Sequence, residues 1–119
     1  MLAVLLGGAL GTALRLGVDA LLPPPWSTLS VNVLGSFALG LLVAAVWPRA
    51  PRWLRAGLGS GVLGSFTTFS AFAVFLVAPS TPLPWAVAYA VASVVLALGA
   101  AWAGLRLGRR PAPIDEATE

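Results

Sequence analysis

The chain has 119 residues, of which 59% are hydrophobic and 9% are charged, against about a quarter charged in an ordinary soluble domain. Residues 20–48 and 56–105 carry no charge at all. These figures exclude a soluble enzyme and a nucleic-acid-binding domain, although the sequence pI of about 11.2 resembles that of DNA-binding proteins. They predict a protein that crosses a membrane several times.

Four apolar stretches, at about residues 2–22, 28–47, 56–78 and 85–105, are long enough to cross about 30 Å of hydrocarbon as helices. They are separated by prolines, which cannot continue a helix, at positions 23–25, 48 and 51, and 79, 82 and 84. We therefore expect residues 1–108 to form an all-α domain of four transmembrane helices. Residues 109–119 are expected to form a polar, disordered tail.

The first span contains one arginine inside its apolar sequence. Arg15 lies seven residues before the end of the span, about 10 Å deep at 1.5 Å per residue. Asp19 follows one turn later and could neutralise it. Alternatively, the partly sunk guanidinium could attract an anion.

The second and fourth spans each carry polar residues four apart, hence on one helix face. Asn32 and Ser36 form the first pair, and Tyr89 and Ser93 the second. A lone serine or threonine in a membrane helix is most simply explained as a hydrogen bond between helices. Asn32 favours a functional role, because an amide with two donors and an acceptor is costly to bury.

The third span combines glycines with hydroxyl groups. Its first half contains four glycines, and the run Ser65–Ser70 follows. Glycine destabilises a helix interior by about 1 kcal/mol relative to alanine, so this composition predicts a helix broken at mid-membrane depth. The alternative is close helix packing, because Gly7-x-x-x-Gly11 in the first span and Gly57-x-x-x-Gly61 both present small faces.

The polar inventory excludes several mechanisms and favours an anion. The chain has no cysteine or histidine and no paired carboxylates inside its apolar region, so thiol, zinc and triad chemistry are absent. An arginine, an asparagine amide, hydroxyl groups and phenyl ring edges all present positive potential. A conduit built from these groups would prefer a small, hard anion.

Three blocks of the sequence, at residues 7–15, 30–37 and 61–72, resemble the signature blocks of the Fluc (CrcB-type) fluoride channels. The resemblance extends over all four spans in order. It implies an antiparallel dimer of four-helix subunits with two pores along the subunit interface. It also implies passive, selective export of fluoride from the cytoplasm. The expected partners are fluoride, the lipid bilayer and a second subunit, identical or homologous, with no nucleic acid and no enzymatic activity.

The resemblance also assigns residues to roles. The fluoride pore would be lined by Phe69, Phe72, Asn32, Thr68, Ser70, Tyr89 and Ser93. The phenylalanine ring edges would contact the ion, Asn32 would be a polar gate, and Arg15 would stand in the vestibule. Gly64 and Thr67 would bind a central Na⁺, shared by both subunits, through their backbone carbonyls.

The chain departs from the family pattern at Ala71, Ala73 and Ala97, where hydroxyl groups are usual, and it lacks a carboxylate soon after. These differences leave open an accessory subunit that completes a heterodimeric channel. A small multidrug transporter is a further alternative, for which Asp19 would have to be the membrane carboxylate.

The arginines predict one orientation. Arg49, Arg52 and Arg55 lie between spans two and three, and Arg106, Arg109 and Arg110 follow span four, whereas only Arg15 lies toward the other side. The positive-inside rule then places both termini in the cytoplasm, for a multi-pass protein of the inner (plasma) membrane.

Overall fold

The computed structural model describes residues 1–109, which contain only helices and connectors. The elements are α1 (Leu2–Leu21), α2 (Trp26–Ala45), α3 (Arg52–Ala56), a π-helical segment (Gly57–Leu63), α4 (Gly64–Phe66), α5 (Phe69–Val77) and α6 (Leu83–Gly108). The stretch Arg52–Val77, called the third stretch below, and the helices α1, α2 and α6 are long and apolar enough to cross a membrane. The prediction of an all-α protein with four such helices is confirmed. Apart from Arg109, the predicted tail lies outside the described residues.

The proline clusters mark the helix ends, with one difference. Pro25 and Pro51 are the N-caps of α2 and α3, and Pro82 is the N-cap of α6. Pro84, interpreted from the sequence as part of the connector, lies in the first turn of α6 instead. Proline is accepted there because the first N–H groups of a helix have no carbonyl partner in any case.

The helix α1 packs along the first half of the third stretch, backbone against backbone. A Cβ added at Gly7 would collide with the carbonyl oxygen of Gly57, and one at Gly11 with that of Val62. A Cβ at Gly61 would lie 2.9 Å from the carbonyl oxygen of Val4. The glycines predicted to favour close packing therefore do so, and the two helices run parallel.

The helices α2 and α6 form a second parallel pair by the same means. A Cβ at Gly40 would collide with the carbonyl oxygen of Ala101, and one at Gly104 with that of Phe37. Gly108, at the end of α6, faces Ala44 near the end of α2. The connector after α2 and the end of α6 thus lie at the same end of the molecule.

Helical geometry along the third stretch stops at Phe66 and resumes at Phe69. Thr67 and Thr68 have extended backbone conformations, with φ/ψ of −77°/157° and −145°/120°, and are called the extended segment below. The four glycines lie before this segment, in the π-helical turns and at Gly64. Their main structural effect is therefore to let α1 approach, while the extended backbone falls at the two threonines.

Candidate functional site

A groove of about 890 Å³ runs along one face of the third stretch, between it and helices α2 and α6. The third stretch lines it at helical spacing through Arg55, Gly59, Leu63 and Thr67. From α2 come Asn32, Gly35, Ser36 and Leu39, and from α6 come Ser93, Val94 and Ala97. Most of the wall is apolar, and the polar groups are few and local.

Most of the predicted site residues meet in this groove. It is lined by Asn32, Gly64, Thr67, Thr68, Phe69, Phe72 and Ser93. Arg15 and Ser70 line a second cavity of about 370 Å³, where Thr68 is again a lining residue. Thr68 therefore lies between the two cavities. Tyr89 lines neither of them and contacts the site through aromatic rings.

Asn32 bridges to the extended segment with two hydrogen bonds. Its Nδ2 donates to the carbonyl oxygen of Thr68 at 2.9 Å, and its Oδ1 accepts from the backbone N–H of Thr68 at 2.8 Å. The orientation of the amide is fixed, because the N–H of Thr68 needs an acceptor and its carbonyl needs a donor. One N–H of the Asn32 amide remains for the groove.

Thr68 also caps the following helix. Its Oγ1 accepts from the backbone N–H of Ala71 at 3.2 Å, and it lies 3.2 Å from the Oγ of Ser70. A threonine at the N-cap satisfies one of the free N–H groups in the first turn of a helix. The residue thus fixes the start of α5, and with it the position of Phe69 and Phe72.

The backbone carbonyls of Gly64 and Thr67 are among those that lose their usual helical donors at the extended segment. In a continuous α-helix the carbonyl of Gly64 would accept from Thr68 N–H, and that of Thr67 from Ala71 N–H. Both N–H groups donate elsewhere, to Asn32 Oδ1 and to Thr68 Oγ1. These carbonyls are therefore available as hard oxygen ligands.

Aromatic rings extend from the groove toward α6. The ring centroids of Phe69 and Phe72 are 5.8 Å apart, and those of Phe72 and Tyr89 are 5.9 Å apart. Phe75 meets Tyr89 edge-on at 4.6 Å. Tyr89 is buried and donates its hydroxyl to the carbonyl oxygen of Pro25 at 3.0 Å, so it anchors the start of α6 against the start of α2.

The predicted alternative of a salt bridge between Arg15 and Asp19 is not realised within residues 1–109. Both side chains line the smaller cavity, but no nitrogen–oxygen pair between them comes within 4.0 Å. With no ion pair to an acidic side chain among residues 1–109, the guanidinium of Arg15 can act on an ion in that cavity, which Asp19 also lines.

Among the groove residues that sequence reasoning missed are Trp47, Arg55 and Ser60. Arg55 was interpreted from the sequence only as a signal of membrane orientation. The available signal was the spacing, since residues 55, 59, 63 and 67 follow each other by one helical turn on one face.

Known proteins similar to this chain decide its family. A family model described as "CrcB-like protein, Camphor Resistance (CrcB)" matches residues 2–105. The chain belongs to the CrcB family. A "Fluoride-specific ion channel FluC" of Paracoccus denitrificans is 47% identical, over 91% of this chain and 93% of that protein. A protein of the same name from Rhodospirillum centenum is 46% identical, over 92% of this chain and 94% of that protein. Another, from Deinococcus radiodurans, is 45% identical, over 88% of this chain and 91% of that protein.

Membership of the CrcB family confirms two predictions. The first is the resemblance of the three sequence blocks to this family. The second is that the protein is not an enzyme, since the relatives of the chain are named as ion channels. Together with four helices able to cross a membrane, it makes the chain a multi-pass membrane protein. The small multidrug transporter alternative is thereby set aside.

Proposed function

We propose that the chain is a subunit of a passive, fluoride-selective channel that releases fluoride from the cytoplasm across the inner (plasma) membrane. The observation that carries this proposal is the groove, in which an amide, hydroxyl groups, ring edges and one arginine surround a path without a carboxylate among the lining residues of the described part of the chain, 1–109. Groups of positive potential favour an anion, and hydroxyl and amide donors suit a small, hard one. The names of the relatives support fluoride as that anion.

A second subunit would complete the pore. Phe69 is 79% exposed in the single chain, so its ring edge faces away from the chain's own packing. The groove is open along the same side. An antiparallel partner, identical or homologous, would cover Phe69 and create two equivalent pores at the interface, with the third stretch of each subunit interrupted near the bilayer centre.

The first prediction concerns transport itself. Liposomes that contain only this chain should release internal fluoride down its gradient much faster than protein-free liposomes, as followed with a fluoride electrode. Chloride should stay inside, because Asn32 and the ring edges stabilise an ion that is small enough for them to contact closely. Chloride release at a comparable rate, or release that requires a proton gradient, would contradict the proposal.

The carbonyls of Gly64 and Thr67 would hold a central Na⁺, shared with the second subunit. They have lost their helical donors, and a cation would satisfy them. We expect Na⁺ to raise the unfolding temperature of the purified protein by a few degrees relative to choline, and the effect to saturate. At a hundredfold excess of Na⁺ over its dissociation constant, the free energy of unfolding should rise by about 2.7 kcal/mol.

Variants at these two positions test whether backbone atoms are the ligands. Thr67→Ser keeps the hydroxyl that donates to the Leu63 carbonyl, and a Cβ at Gly64 meets only the Gly59 carbonyl oxygen, at 3.6 Å. Thr67→Ser and Gly64→Ala should therefore retain the Na⁺ shift. A wild-type protein without any shift would refute the site, and loss of the shift in Thr67→Ser would indicate a side-chain ligand.

A second candidate role, the accessory subunit of a heterodimer, is favoured by the charge distribution. Because α2 and α6 run parallel, the connector with Arg49, Arg52 and Arg55 lies at the same end as Arg106 and Arg109, whereas Arg15 lies toward the other end. Such a bias fixes one orientation with both termini in the cytoplasm. An antiparallel partner would then be a homologous chain with the opposite bias, able to supply the hydroxyl groups absent at residues 71, 73 and 97.

Cysteine labelling of the C-terminal tail in intact cells distinguishes the two arrangements, since the natural chain has no cysteine. A single cysteine in the tail should react with a membrane-permeant maleimide and be protected from an impermeant one. Equal reaction with both reagents would indicate insertion in both orientations, and would favour a homodimer.

A further inference from the structure

The end of the groove away from the phenylalanine rings has its own charged residue. Arg55 lines this end together with Trp47, Gly59 and Ser60. The Nε of Arg55 donates to the carbonyl oxygen of Ala50 at 2.9 Å, which holds the guanidinium in place. Within residues 1–109 it makes no other hydrogen bond, so its terminal N–H groups are available to an ion.

Among residues 1–109, no acidic side chain lies beside Arg55 in the groove: none of those residues that line it is acidic. The ring of Trp47 covers Gly59, where an added Cβ would lie 3.2 Å from the Cζ2 atom of the indole, so the ring forms a largely apolar wall on one side of the groove. A charge beside a low-dielectric wall acts over a longer distance than one surrounded by solvent.

Arg55 lies too far from the extended segment to take part in selecting an ion there. Twelve residues separate it from Thr67, about 18 Å at 1.5 Å per helical residue. The Debye length is about 10 Å in 0.1 M salt and about 30 Å in 0.01 M salt, so the guanidinium attracts anions along the groove at low salt and mainly at the entrance at higher salt. At such a distance the attraction depends on charge alone, so it is the same for fluoride and chloride. Arg15 lines the smaller cavity together with Asp19, and Thr68 borders both cavities.

We propose that Arg55 is an entrance charge: it collects small anions at the arginine-rich end of the groove and sets the rate at which they enter, without choosing among them. This inference rests on the proposed transport of fluoride. It assigns to Arg55 a role in rate and salt dependence, whereas the residues around Thr68 determine selectivity.

The first experiment measures fluoride efflux from liposomes with Arg55→Gln at low and high concentrations of an impermeant salt. Arg52→Gln is the matched control, because it removes the same charge from the same short helix, α3, at a residue that does not line the groove. At about 10 mM salt Arg55→Gln should reduce the rate about three- to tenfold, and Arg52→Gln much less. At about 1 M salt both variants should approach the wild type, and fluoride should remain preferred over chloride throughout.

The second experiment separates charge from structure. Arg55→Cys, made in a chain without other cysteines, is modified with a cationic or an anionic methanethiosulfonate reagent of similar size. The cationic adduct should restore efflux at low salt, and the anionic adduct should reduce it further. Equal rates for both adducts, or equal losses for Arg55→Gln and Arg52→Gln, would overturn the entrance role while transport by the wild type stands. A wild type that releases no fluoride would overturn both proposals.

Discussion

Asn32→Asp should reduce fluoride efflux about a hundredfold or more. A carboxylate can still accept from the N–H of Thr68, but it cannot donate to the Thr68 carbonyl, which Asn32 Nδ2 contacts at 2.9 Å. It also places a negative charge beside the path of an anion. Two like charges about 4 Å apart repel each other by about 4 kcal/mol at an effective dielectric constant of 20, enough for roughly a thousandfold effect.

Asn32→Ala separates the bridge from the charge. It leaves the N–H of Thr68 without its acceptor and removes a donor to the Thr68 carbonyl, and it should destabilise the protein by about 1–3 kcal/mol, measured as a lower unfolding temperature in detergent. Ser36→Ala is the control, because Ser36 lies one turn further on the same face of α2 and lines the groove. We expect efflux to fall in the order wild type and Ser36→Ala, then Asn32→Ala, then Asn32→Asp. Wild-type efflux by Asn32→Asp would show that the ion does not pass this residue.

Phe69→Ile and Phe72→Ile should each slow efflux about three- to tenfold, and the double variant more. Isoleucine preserves an apolar side chain but lacks the positive ring edge, whose interactions contribute about 0.5–1.5 kcal/mol. Phe69 is 79% exposed in the single chain, so its replacement cannot act by disrupting the subunit's own core.

Phe75→Ile is the matched control for the ring-edge effect. Phe75 lies on the same helix and packs against Tyr89 at 4.6 Å, but it does not line the groove. It should lower the unfolding temperature and leave efflux near the wild-type rate. If all three variants conduct alike in liposomes, the rings serve only for packing.

The sequence was sufficient to predict where the helices lie, because prolines and the length of an apolar stretch have local effects on the chain. The four spans were predicted to begin and end within a few residues of where the helices do, and the error at Pro84 arose because proline is excluded from a helix interior and not from its first turn. Gly7 and Gly11 were correctly interpreted as a close-packing face, since small residues four apart have few other uses in a membrane helix.

The candidate site was predicted less completely because its contacts join distant parts of the chain. Asn32 could be singled out from the cost of burying an amide, but its partner lies 36 residues away and consists of backbone atoms, which leave no trace in the sequence. Arg55 was misjudged for a different reason. An arginine in a connector has the same effect on topology whether or not it borders a groove, so only the structure distinguishes it from Arg52.

The bridge between Asn32 and Thr68 has a mechanical consequence. One helix pair consists of α1 and the first half of the third stretch, the other of α2 and α6, and each is held rigid by backbone contacts at glycines. Among the side-chain hydrogen bonds of residues 1–109, the two made by Asn32 are those that link the pair of α2 and α6 to the third stretch, just after the part of it that packs on α1. A bilayer thicker or thinner than the helices makes them change their tilt. The strain of that adjustment would fall on the Asn32 amide, which would make bilayer thickness a determinant of the geometry around Thr68.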